Sequence, residues 1–391
     1  MLYLTLLDQF HPGIYSSQVI DVCDHLKKRY KANIRIVAFL SVRELVRSDA
    51  RKRLKALSPD ALVFPSFPGL QNFELTALFL FFICLFTGQR VVICRNVFCT
   101  KMALRVKKWK LITKVVMDGR SAMAAEIGEY DVFPVDYLRK NVADFERFAV
   151  THSDFRIAVS EELVKYWRQH YGYSEQNHVV IPCTLDTKHF SEKTFSLDHA
   201  NEELRAKLGF SESDLVLVYS GSTAPWQSFE LLEKILTPLL DSDKRIKVIF
   251  LSKENKDNCR LRDKYKDRIV IKWLEHKDVL PHLHCGDYGI LVREQSDTNK
   301  VASPVKFAEY LYAGLDVLIS ENLGDFSDFV KTHACGYVLG ENSANWPILQ
   351  KPGLYKKEAA FKLAYEHYRK ESAKNEQAYD KLMQYISPKT K

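Results

Sequence analysis

Residues 303–320 read SPVKFAEYLYAGLDVLIS and predict a helix and a strand with clear boundaries. Ser303 is a residue type that favours the N-cap of a helix, and proline suits the first helical position that Pro304 would occupy. Glycine favours the position just past a helix end, so Gly314 predicts where this helix stops. The apolar run Asp316–Ser320 then predicts a buried strand. A helix that leads directly into a buried strand is typical of parallel α/β sheets.

The two faces of the predicted helix differ in their chemistry. Apolar side chains that we expect to be buried share one face: Val305, Ala308, Leu311 and Tyr312. Lys306 and Glu309 lie one turn apart on the other face. A lysine in the first turn opposes the helix dipole, and an anion such as pyrophosphate docked there would explain it. Spacing alone leaves a second interpretation open, an exposed Lys–Glu pair on an ordinary surface helix.

Short apolar runs and amphipathic stretches alternate along the rest of the chain. The predicted strands of a first domain are Leu2–Leu7, Ile34–Phe39, Ala61–Phe64, Arg90–Cys94, Lys114–Met117, Phe155–Val159 and His178–Ile181. Those of a second domain are Leu215–Ser220, Lys247–Leu251, Ile269–Lys272, Tyr288–Val292 and Asp316–Ser320. Strands that alternate with helices predict parallel sheets with helices on both faces. Residues 1–185 and 186–353 therefore form two predicted α/β domains, and the helical residues 354–391 either pack back on the first domain or cap the second.

The stretch Ser303–Ile319 resembles the donor-binding signature SPxKxxEYLaaGxPVI of GT-B glycosyltransferases, in particular the family 4-like group. Asp316 stands where the signature has proline. The upstream segments DYGILVREQ and VYSGSTAPWQ occur in a suitable order and spacing. The resemblance implies a GT-B fold, with two facing Rossmann-like, doubly wound parallel-sheet α/β domains and an interdomain cleft. It also implies transfer of a sugar, with retention of configuration, from a nucleotide-diphosphate-sugar donor to a hydroxyl acceptor.

The resemblance implies roles for individual residues of the second domain. Lys306 looks like the lysine that contacts the diphosphate. Glu309 looks like the carboxylate that binds the ribose hydroxyls, the second Glu of an E-x7-E pattern. The first Glu of that pattern would fall at Val301, so Glu294 or Asp297 would have to replace it.

A glycine-containing loop completes the predicted donor site. Residues 220–226 (SGSTAPW) follow a strand, and glycine lets the backbone approach a phosphate closely. Without the resemblance, a plain strand-to-helix turn is the simpler interpretation. Arg293, at the carboxyl end of another strand, is the candidate for a second cation on the leaving diphosphate. The predicted donor-binding residues are Gly221, Ser222, Thr223, Glu294, Ser303, Pro304, Val305, Lys306 and Glu309. The resemblance also implies that cations and helix amides stabilise the leaving group, so we expect no metal ion and no further cofactor.

Polar residues at the end of a strand predict the acceptor site in the first domain. Residues 114–126 (KVVMDGRSAMAAE) resemble a D-x-R-(G/S)-x4–5-E pattern of the same glycosyltransferase group. Asp118 would orient a hydroxyl, Arg120 would hold a phosphate and Glu126 would fix Arg120; a structural Asp–Arg pair is the alternative. The loop after the first strand adds His11 and Gly13 as acceptor-binding candidates. The predicted catalytic residues are Asp118, Arg120, Arg293 and Lys306.

The charge of the chain is concentrated in its first half. There are 57 Lys and Arg against 49 Asp and Glu, and residues 1–190 carry the whole excess. Residues 27–55 hold eleven basic and two acidic side chains, and residues 90–114 hold eight basic and none acidic. A basic half indicates an anionic partner, which would be nucleic acid, an anionic membrane or a phosphorylated substrate; a solvated basic surface helix is the alternative. No helix-turn-helix, RNP-like or zinc pattern accompanies the basic stretches, so we do not expect nucleic acid to be the partner.

The most apolar stretch, Leu75–Phe86, is shorter than the roughly 20 residues that span a bilayer. We expect a buried helix here, with an interfacial membrane contact as the alternative. The basic stretches on either side would support a peripheral contact with an anionic membrane. Eight scattered cysteines without a CxxC pair indicate reduced thiols in a cytoplasmic protein. A membrane contact would place that protein at the inner face of the cell membrane.

The resemblance implies a glycosyltransferase of the hexosyltransferase type. Its acceptor would be a glycan or a lipid-linked molecule in cell-envelope, surface-polysaccharide or glycolipid biosynthesis. Two other classes remain open. One is a GT-B protein with another activity, such as a nucleotide-sugar epimerase or hydrolase. The other is a catalytically degenerate nucleotide-sugar-binding protein, which Val301 would favour.

Overall fold

The computed structural model describes residues 1–7, 10, 13, 15–130, 135–186, 190, 200–222, 224–340 and 346–387. The chain divides into two compact units. The first unit comprises residues 1–186 and 373–391, and the second unit comprises residues 187–372. Each unit is built on one sheet whose paired strands are all parallel. The prediction of two doubly wound parallel-sheet α/β units is confirmed.

The sheet of the first unit has seven strands in the order β3-β2-β1-β4-β5-β6-β7. Their bounds are β1 Leu2–Leu7, β2 Arg35–Leu40, β3 Leu62–Pro65, β4 Val91–Arg95, β5 Lys114–Gly119, β6 Phe155–Ala158 and β7 His178–Val180. All seven predicted strands are present, with ends displaced by no more than two residues. The strand order reverses between β1 and β4. Open α/β sheets bind ligands beyond the carboxyl ends of their strands at such a reversal.

Helices connect these strands and cover the sheet. They are α1 Asp21–Tyr30, α2 Val42–Arg47, α3 Ala50–Leu57, α4 Phe73–Thr87, α5 Val97–Lys108, α6 Met123–Tyr130, α7 Asp136–His152 and α8 Glu161–Tyr171. The π-helical turn Tyr15–Ile20 leads into α1. On one side of the sheet, residues of α1 pack on β1, β2 and β3 in a continuous apolar core. The apolar character of the strands follows from burial on both sheet faces.

Helix α4 has one buried side and one exposed side. Phe73, Leu80 and Ile83 are buried, whereas Phe82 and Phe86 are 51% and 82% exposed. The prediction of a buried helix for Leu75–Phe86 is therefore wrong for its outer side. A sequence that is apolar all round the helix gives no periodic signal from which the exposed side could be recognised.

The sheet of the second unit has six strands in the order β10-β9-β8-β11-β12-β13. Their bounds are β8 Leu215–Ser220, β9 Ile246–Leu251, β10 Ile269–Lys272, β11 Tyr288–Leu291, β12 Asp316–Ser320 and β13 Gly336–Leu339. The five predicted strands are present, and β13 was not predicted. The helices are α9 Ala200–Lys207, α10 Phe229–Ser242, α11 Lys256–Tyr265, α12 His276–Leu283, α13 Asp297–Lys300, α14 Val305–Tyr312, α15 Phe326–His333 and α16 Leu354–His367.

The carboxy-terminal segment contributes one helix to each unit. Helix α16 (Leu354–His367) belongs to the second unit, where Lys356 Nζ lies 3.0 Å from the Asp316 carboxylate at the start of β12. Burial raises the pKa of Asp316, and the Lys356 ammonium opposes that shift. Asp316, which stands where the donor-binding signature has proline, is thus paired with Lys356. Helix α17 (Ala373–Ile386) belongs to the first unit and places Tyr379 in its core.

A buried carboxylate caps helix α6 in the first unit. Glu146, on α7, has no exposed surface, and its two oxygens accept hydrogen bonds from the backbone N–H groups of Met123 and Ala124 at 3.2 and 2.8 Å. The Tyr171 hydroxyl donates a further hydrogen bond at 3.1 Å. Burial raises the pKa of Glu146 to about 7, although these hydrogen bonds favour the charged form.

Glu146→Gln is expected to remove part of the pH dependence of stability. The folded state holds the Glu146 proton between pH 4.5 and about 7, where the unfolded chain has lost it, so the free energy of unfolding falls as pH rises through that window. Above that window, the wild type has lost about 3 kcal/mol of its free energy of unfolding, because Glu146 is then ionised in a buried position. In thermal melting at a series of pH values, the Tm of the variant minus the Tm of the wild type should increase as the pH rises. The exposed control Glu358→Gln should give a curve of Tm against pH that is parallel to that of the wild type. A parallel curve for Glu146→Gln would contradict the prediction.

Candidate active site

The second unit brings predicted donor residues together at the reversal of its strand order. Strands β8 and β11 are neighbours, and the chain runs outward from them in opposite directions along the sheet. Strand β8 ends at Ser220, and helix α14 (Val305–Tyr312) connects β11 to β12. The amino end of α14 and the end of β8 therefore lie at the carboxyl edge of the sheet, where ligands bind in this class of fold.

Helix α14 begins one residue later than predicted. Pro304 occupies the N-cap with φ −69° and ψ 125°, and no side chain caps the helix, so Ser303 is not its N-cap. Ser303 is buried, and Val305 is half-buried as the first helical residue. The end of the helix is as predicted, because Gly314 follows the C-cap Ala313 with φ +76°, the left-handed region that favours glycine.

Lys306, Glu309 and Ser220 form one polar cluster. Lys306 Nζ lies 3.1 Å from Ser220 Oγ and 3.5 Å from Glu309 Oε2. The Lys306 side chain is 32% exposed, whereas that of Glu309 is 6% exposed. The surface-helix interpretation is therefore wrong, since an ordinary exposed pair would leave both side chains in water. The cluster presents an ammonium group to solvent above a buried carboxylate.

The Glu309 carboxylate has hydrogen-bonding capacity that the described part of the chain does not use. Its buried Oε2 accepts no hydrogen bond from the residues that the structure describes. A buried carboxylate oxygen that accepts no hydrogen bond costs free energy, and the Lys306 ammonium at 3.5 Å offsets this only in part. Neighbouring hydroxyl groups of a ligand would supply the missing donors.

Tyr310 fixes the geometry of this edge, a role that the sequence did not reveal. Its hydroxyl accepts a hydrogen bond from the Ser220 backbone N–H at 2.8 Å and donates one to the Ile290 carbonyl at 3.2 Å. The side chain is fully buried, and burial raises the pKa of its hydroxyl, which keeps it neutral. Its ring lies so close to β11 that a Cβ at Gly289 would be 2.3 Å from it. Tyr310 thus ties α14 to both strands at the reversal.

The predicted glycine loop begins directly after β8. Gly221 is buried, and a Cβ at this position would lie 2.7 Å from the Tyr219 hydroxyl oxygen, so a side chain here would need Tyr219 to move. Ser222 is exposed, and its carbonyl accepts a hydrogen bond from Tyr219 at 3.2 Å. Thr223 lies outside the described residues.

Arg293 and Glu294 lie beyond the end of β11, in a second group. The Arg293 side chain is 7% exposed and its Nη1 lies 3.4 Å from Asn299 Oδ1. Glu294 is exposed, and its backbone N–H donates to Ser228 Oγ at 3.1 Å. Ser228 has φ +49°, an uncommon conformation for a residue other than glycine and one that is concentrated at functional sites.

A cleft of about 740 Å³ opens beside this second group. Arg293 and Glu294 line it together with Lys234, Glu321 and Trp346. Lys306, Glu309 and Gly221 are not among its lining residues. Of the predicted donor residues, the structure therefore brings Lys306 and Glu309 together against Ser220, and it places Arg293 and Glu294 on the wall of a cleft whose lining does not include Lys306 or Glu309.

Val301 occupies the position of the missing glutamate and is an ordinary core residue. It is 1% exposed and terminates the short helix α13. Its two possible replacements, Glu294 and Asp297, are both exposed.

The predicted acceptor residues of the first unit centre on a buried carboxylate. Asp118, near the end of β5, has no exposed surface. Arg120 Nε lies 2.8 Å from Asp118 Oδ1, Arg95 Nη1 lies 3.9 Å from Oδ2, and the Tyr3 hydroxyl donates a hydrogen bond to Oδ2. Burial lowers the pKa of Arg120 and the Asp118 carboxylate raises it, with a net rise. Asp118 therefore positions Arg120, whose side chain retains 15% exposure.

The remaining acceptor candidates are not part of this network. Among the described residues Glu126 makes no ion pair with Arg120; burial raises its pKa, and a hydrogen bond from Ser121 opposes the rise. The prediction that Glu126 fixes Arg120 is therefore wrong, because Asp118 does so. Gly13 is exposed, and its carbonyl accepts a hydrogen bond from Ser17 at 2.8 Å. His11 lies outside the described residues.

Solved structures match the fold over almost the whole chain, although no protein-family model and no curated protein match its sequence. The Anabaena protein HepE in complex with UDP gives a TM-score of 0.69 at 14% identity, with 98% of this chain and 100% of HepE covered. A glycosyltransferase from Rickettsia africae gives 0.66 at 13% identity, with 100% and 98% covered. This chain has the GT-B fold. A putative UDP-N-acetylglucosamine 2-epimerase from Listeria monocytogenes gives a TM-score of 0.53 at 11% identity, with 98% and 90% covered. Structural neighbours of this GT-B protein thus include glycosyltransferases and a putative epimerase.

Proposed function

We propose that this GT-B protein is a glycosyltransferase that moves a sugar from a nucleotide-diphosphate-sugar donor to a hydroxyl acceptor. The observation that carries the proposal is the cluster of Lys306, Glu309 and Ser220. It combines a partly exposed ammonium group, the amino end of a helix and a buried carboxylate oxygen with no hydrogen-bond donor among the described residues. A diphosphate joined to a ribose offers complementary groups, since its oxygens are anionic and its vicinal hydroxyls are donors.

Loss of the nucleoside diphosphate is the step that this cluster would accelerate. As the bond to the anomeric carbon breaks, negative charge grows on the diphosphate oxygens. Lys306 Nζ and the first amides of α14 would stabilise that charge, and Arg293 is the proposed second cation. No metal ion or further cofactor is part of this proposal. Retention of configuration is part of it, on the strength of the signature at Ser303–Ile319.

Glu309 would hold the ribose through its hydroxyls. Its position on α14, one turn after Lys306, separates the ribose and diphosphate contacts along one helix. The UDP complex of HepE supports UDP as the first nucleotide to test. Gly221, Ser222 and Thr223 are the proposed backbone contacts, with Ser303, Pro304 and Val305 at the start of the helix.

The acceptor would bind to the first unit. Arg120 is the proposed contact for a phosphate or hydroxyl of the acceptor, and Asp118 is its positioning residue, because its carboxylate is buried against the Arg120 guanidinium. We propose a glycan or a lipid-linked molecule of cell-envelope, surface-polysaccharide or glycolipid biosynthesis, with the protein in the cytoplasm.

Turnover with a panel of UDP-sugars tests the proposal. UDP release that depends on an added glycan or lipid-linked acceptor, with a product of retained configuration, is the expected result. Interconversion or hydrolysis of the donor without any acceptor would favour an epimerase or hydrolase, the alternative suggested by the Listeria neighbour and by Val301 in place of a glutamate. UDP binding without turnover over the whole panel would contradict a transferase.

A further inference from the structure

Large apolar side chains cover the outer side of helix α4 (Phe73–Thr87). The exposed residues of α4 are all Leu or Phe, whereas Glu74 and Thr87 at its two ends are half-buried. These residues, which we call the α4 apolar face, are Leu75, Leu78, Phe79, Phe82, Leu85 and Phe86, with 46%, 48%, 37%, 51%, 50% and 82% of their surface exposed. They recur every three or four residues and therefore form one continuous stripe along the helix.

A helix on the surface of an α/β unit ordinarily carries polar residues on its outer side. Contiguous exposed apolar surface of this kind marks an interaction site, because single exposed apolar residues need no explanation but a complete stripe does. We therefore expect the α4 apolar face to bind a partner that shields it from water.

Helix α4 is also held firmly in the first unit. The Phe73 ring packs against Phe98 and Phe145 at 5.0 and 5.5 Å, and Glu74 pairs with Lys101 and Arg105 at 2.7 and 2.8 Å. The segment Leu70–Thr87 is long and apolar enough to cross a membrane by composition, with a mean hydropathy of 1.7. Its packing as the connection between β3 and β4 instead fits a helix that lies flat against a surface.

Basic residues and a tryptophan border the carboxyl end of the α4 apolar face. Trp109 is 39% exposed, and its ring lies 5.4 Å from that of Phe81. Lys108 and Lys110, on either side of Trp109, are both exposed, as is Arg90 just beyond the helix. Residues 66–114 contain one acidic residue, the paired Glu74, and eight basic residues. Tryptophan and basic side chains favour the headgroup region of a bilayer, and anionic lipids attract such a cluster.

We propose that the α4 apolar face and its basic border dock the first unit on an anionic lipid bilayer, with α4 lying in the plane of the interface. The apolar side chains enter the acyl boundary, and Arg90, Lys108 and Lys110 contact the headgroups. A second copy of this chain is a poorer partner. In a symmetric dimer each copy presents the same patch, and the two basic borders would repel one another.

Vesicle flotation of the full chain tests this proposal independently of any sugar transfer. The probes are vesicles of phosphatidylcholine alone and of phosphatidylcholine mixed with phosphatidylglycerol. We expect the wild type to float with the anionic vesicles and to be released by salt, because screening weakens headgroup contacts. Absence of flotation, or equal flotation with both vesicles, would overturn the proposal.

Two pairs of variants separate the apolar and the charged contributions. Phe82→Ser/Phe86→Ser and Lys108→Glu/Lys110→Glu should each lower binding to the anionic vesicles by about tenfold or more. The matched controls are Ile348→Ser, which is 87% exposed in the second unit, and Lys331→Glu/Lys362→Glu, and both should float like the wild type. Circular dichroism confirms that each variant is folded. Unchanged flotation of both test variants would overturn the proposal, as would a dimer in light scattering that Phe82→Ser/Phe86→Ser dissociates.

Discussion

Lys306→Ala is expected to lower kcat for sugar transfer by about 10²–10³-fold while the protein stays folded. Lys306 Nζ is the partly exposed cation of the site, 3.1 Å from Ser220 Oγ at the carboxyl end of β8. Although it also lies 3.5 Å from Glu309 Oε2, the ammonium group is partly exposed and can therefore contact a leaving diphosphate as negative charge grows there. Removing a group that acts mainly in the transition state lowers kcat and kcat/KM together.

The matched control for Lys306→Ala is Lys362→Ala. Lys362 lies 3.7 Å from Glu366 on α16, in an exposed Lys–Glu pair of the kind first considered for Lys306 and Glu309. Steady-state kinetics of both variants with saturating acceptor, together with their circular dichroism spectra, make the comparison. If Lys306→Ala turned over like Lys362→Ala, Lys306 would have no part in the mechanism.

Asp118→Ala is expected to destabilise the first unit by about 3–5 kcal/mol. The Asp118 carboxylate faces the guanidinium groups of Arg95 and Arg120 and accepts the hydrogen bond of Tyr3, all in a region without exposed surface at Asp118. Removing it leaves buried positive charge uncompensated. The loss of stability is large because removing one partner of a buried ion pair costs far more free energy than replacing both partners by apolar residues.

Asp60→Ala is the control variant against which the loss of stability in Asp118→Ala is compared. Asp60 pairs with Lys27 at 2.9 Å in the same unit, but the Asp60 side chain is 44% exposed, so its loss should cost less than about 1 kcal/mol. Urea unfolding gives the two values, and hydrogen exchange at β1 and β5 localises the change to the first unit. Equal unfolding midpoints for the two variants would contradict the structural role of Asp118.

The sequence was sufficient for most of the sheet architecture. Strands such as Leu215–Ser220 and Asp316–Ser320 are apolar runs with clear turns after them, and their predicted bounds match the structure. Strand β13 (Gly336–Leu339) escaped prediction because it is four residues long, starts with glycine and lies at the edge of the sheet, where it is only partly buried. A strand of that kind lacks the long apolar run on which prediction depends.

The sequence was sufficient to single out residues of the candidate sites, but not to predict the contacts that those residues make. The motif spacing singled out Lys306 and Glu309. The buried Glu309 oxygen and the tie from Tyr310 to Ser220 depend on the packing of α14 against two strands that are distant in sequence. The convergence of Tyr3, Arg95 and Arg120 on Asp118 likewise joins separate strands, so no local pattern could reveal it.

A thermal-shift screen with nucleoside diphosphates and nucleotide sugars tests whether helix α14 binds a nucleoside diphosphate. A ligand at about 100 times its Kd stabilises the folded state by about 2.7 kcal/mol, which is a clear rise in Tm. We predict that at least one of these ligands raises the Tm of the wild type and of the exposed control Glu366→Ala, and that Glu309→Ala loses this shift. Absence of any shift in the wild type, or an equal shift in Glu309→Ala, would show that helix α14 is not the nucleotide-binding helix.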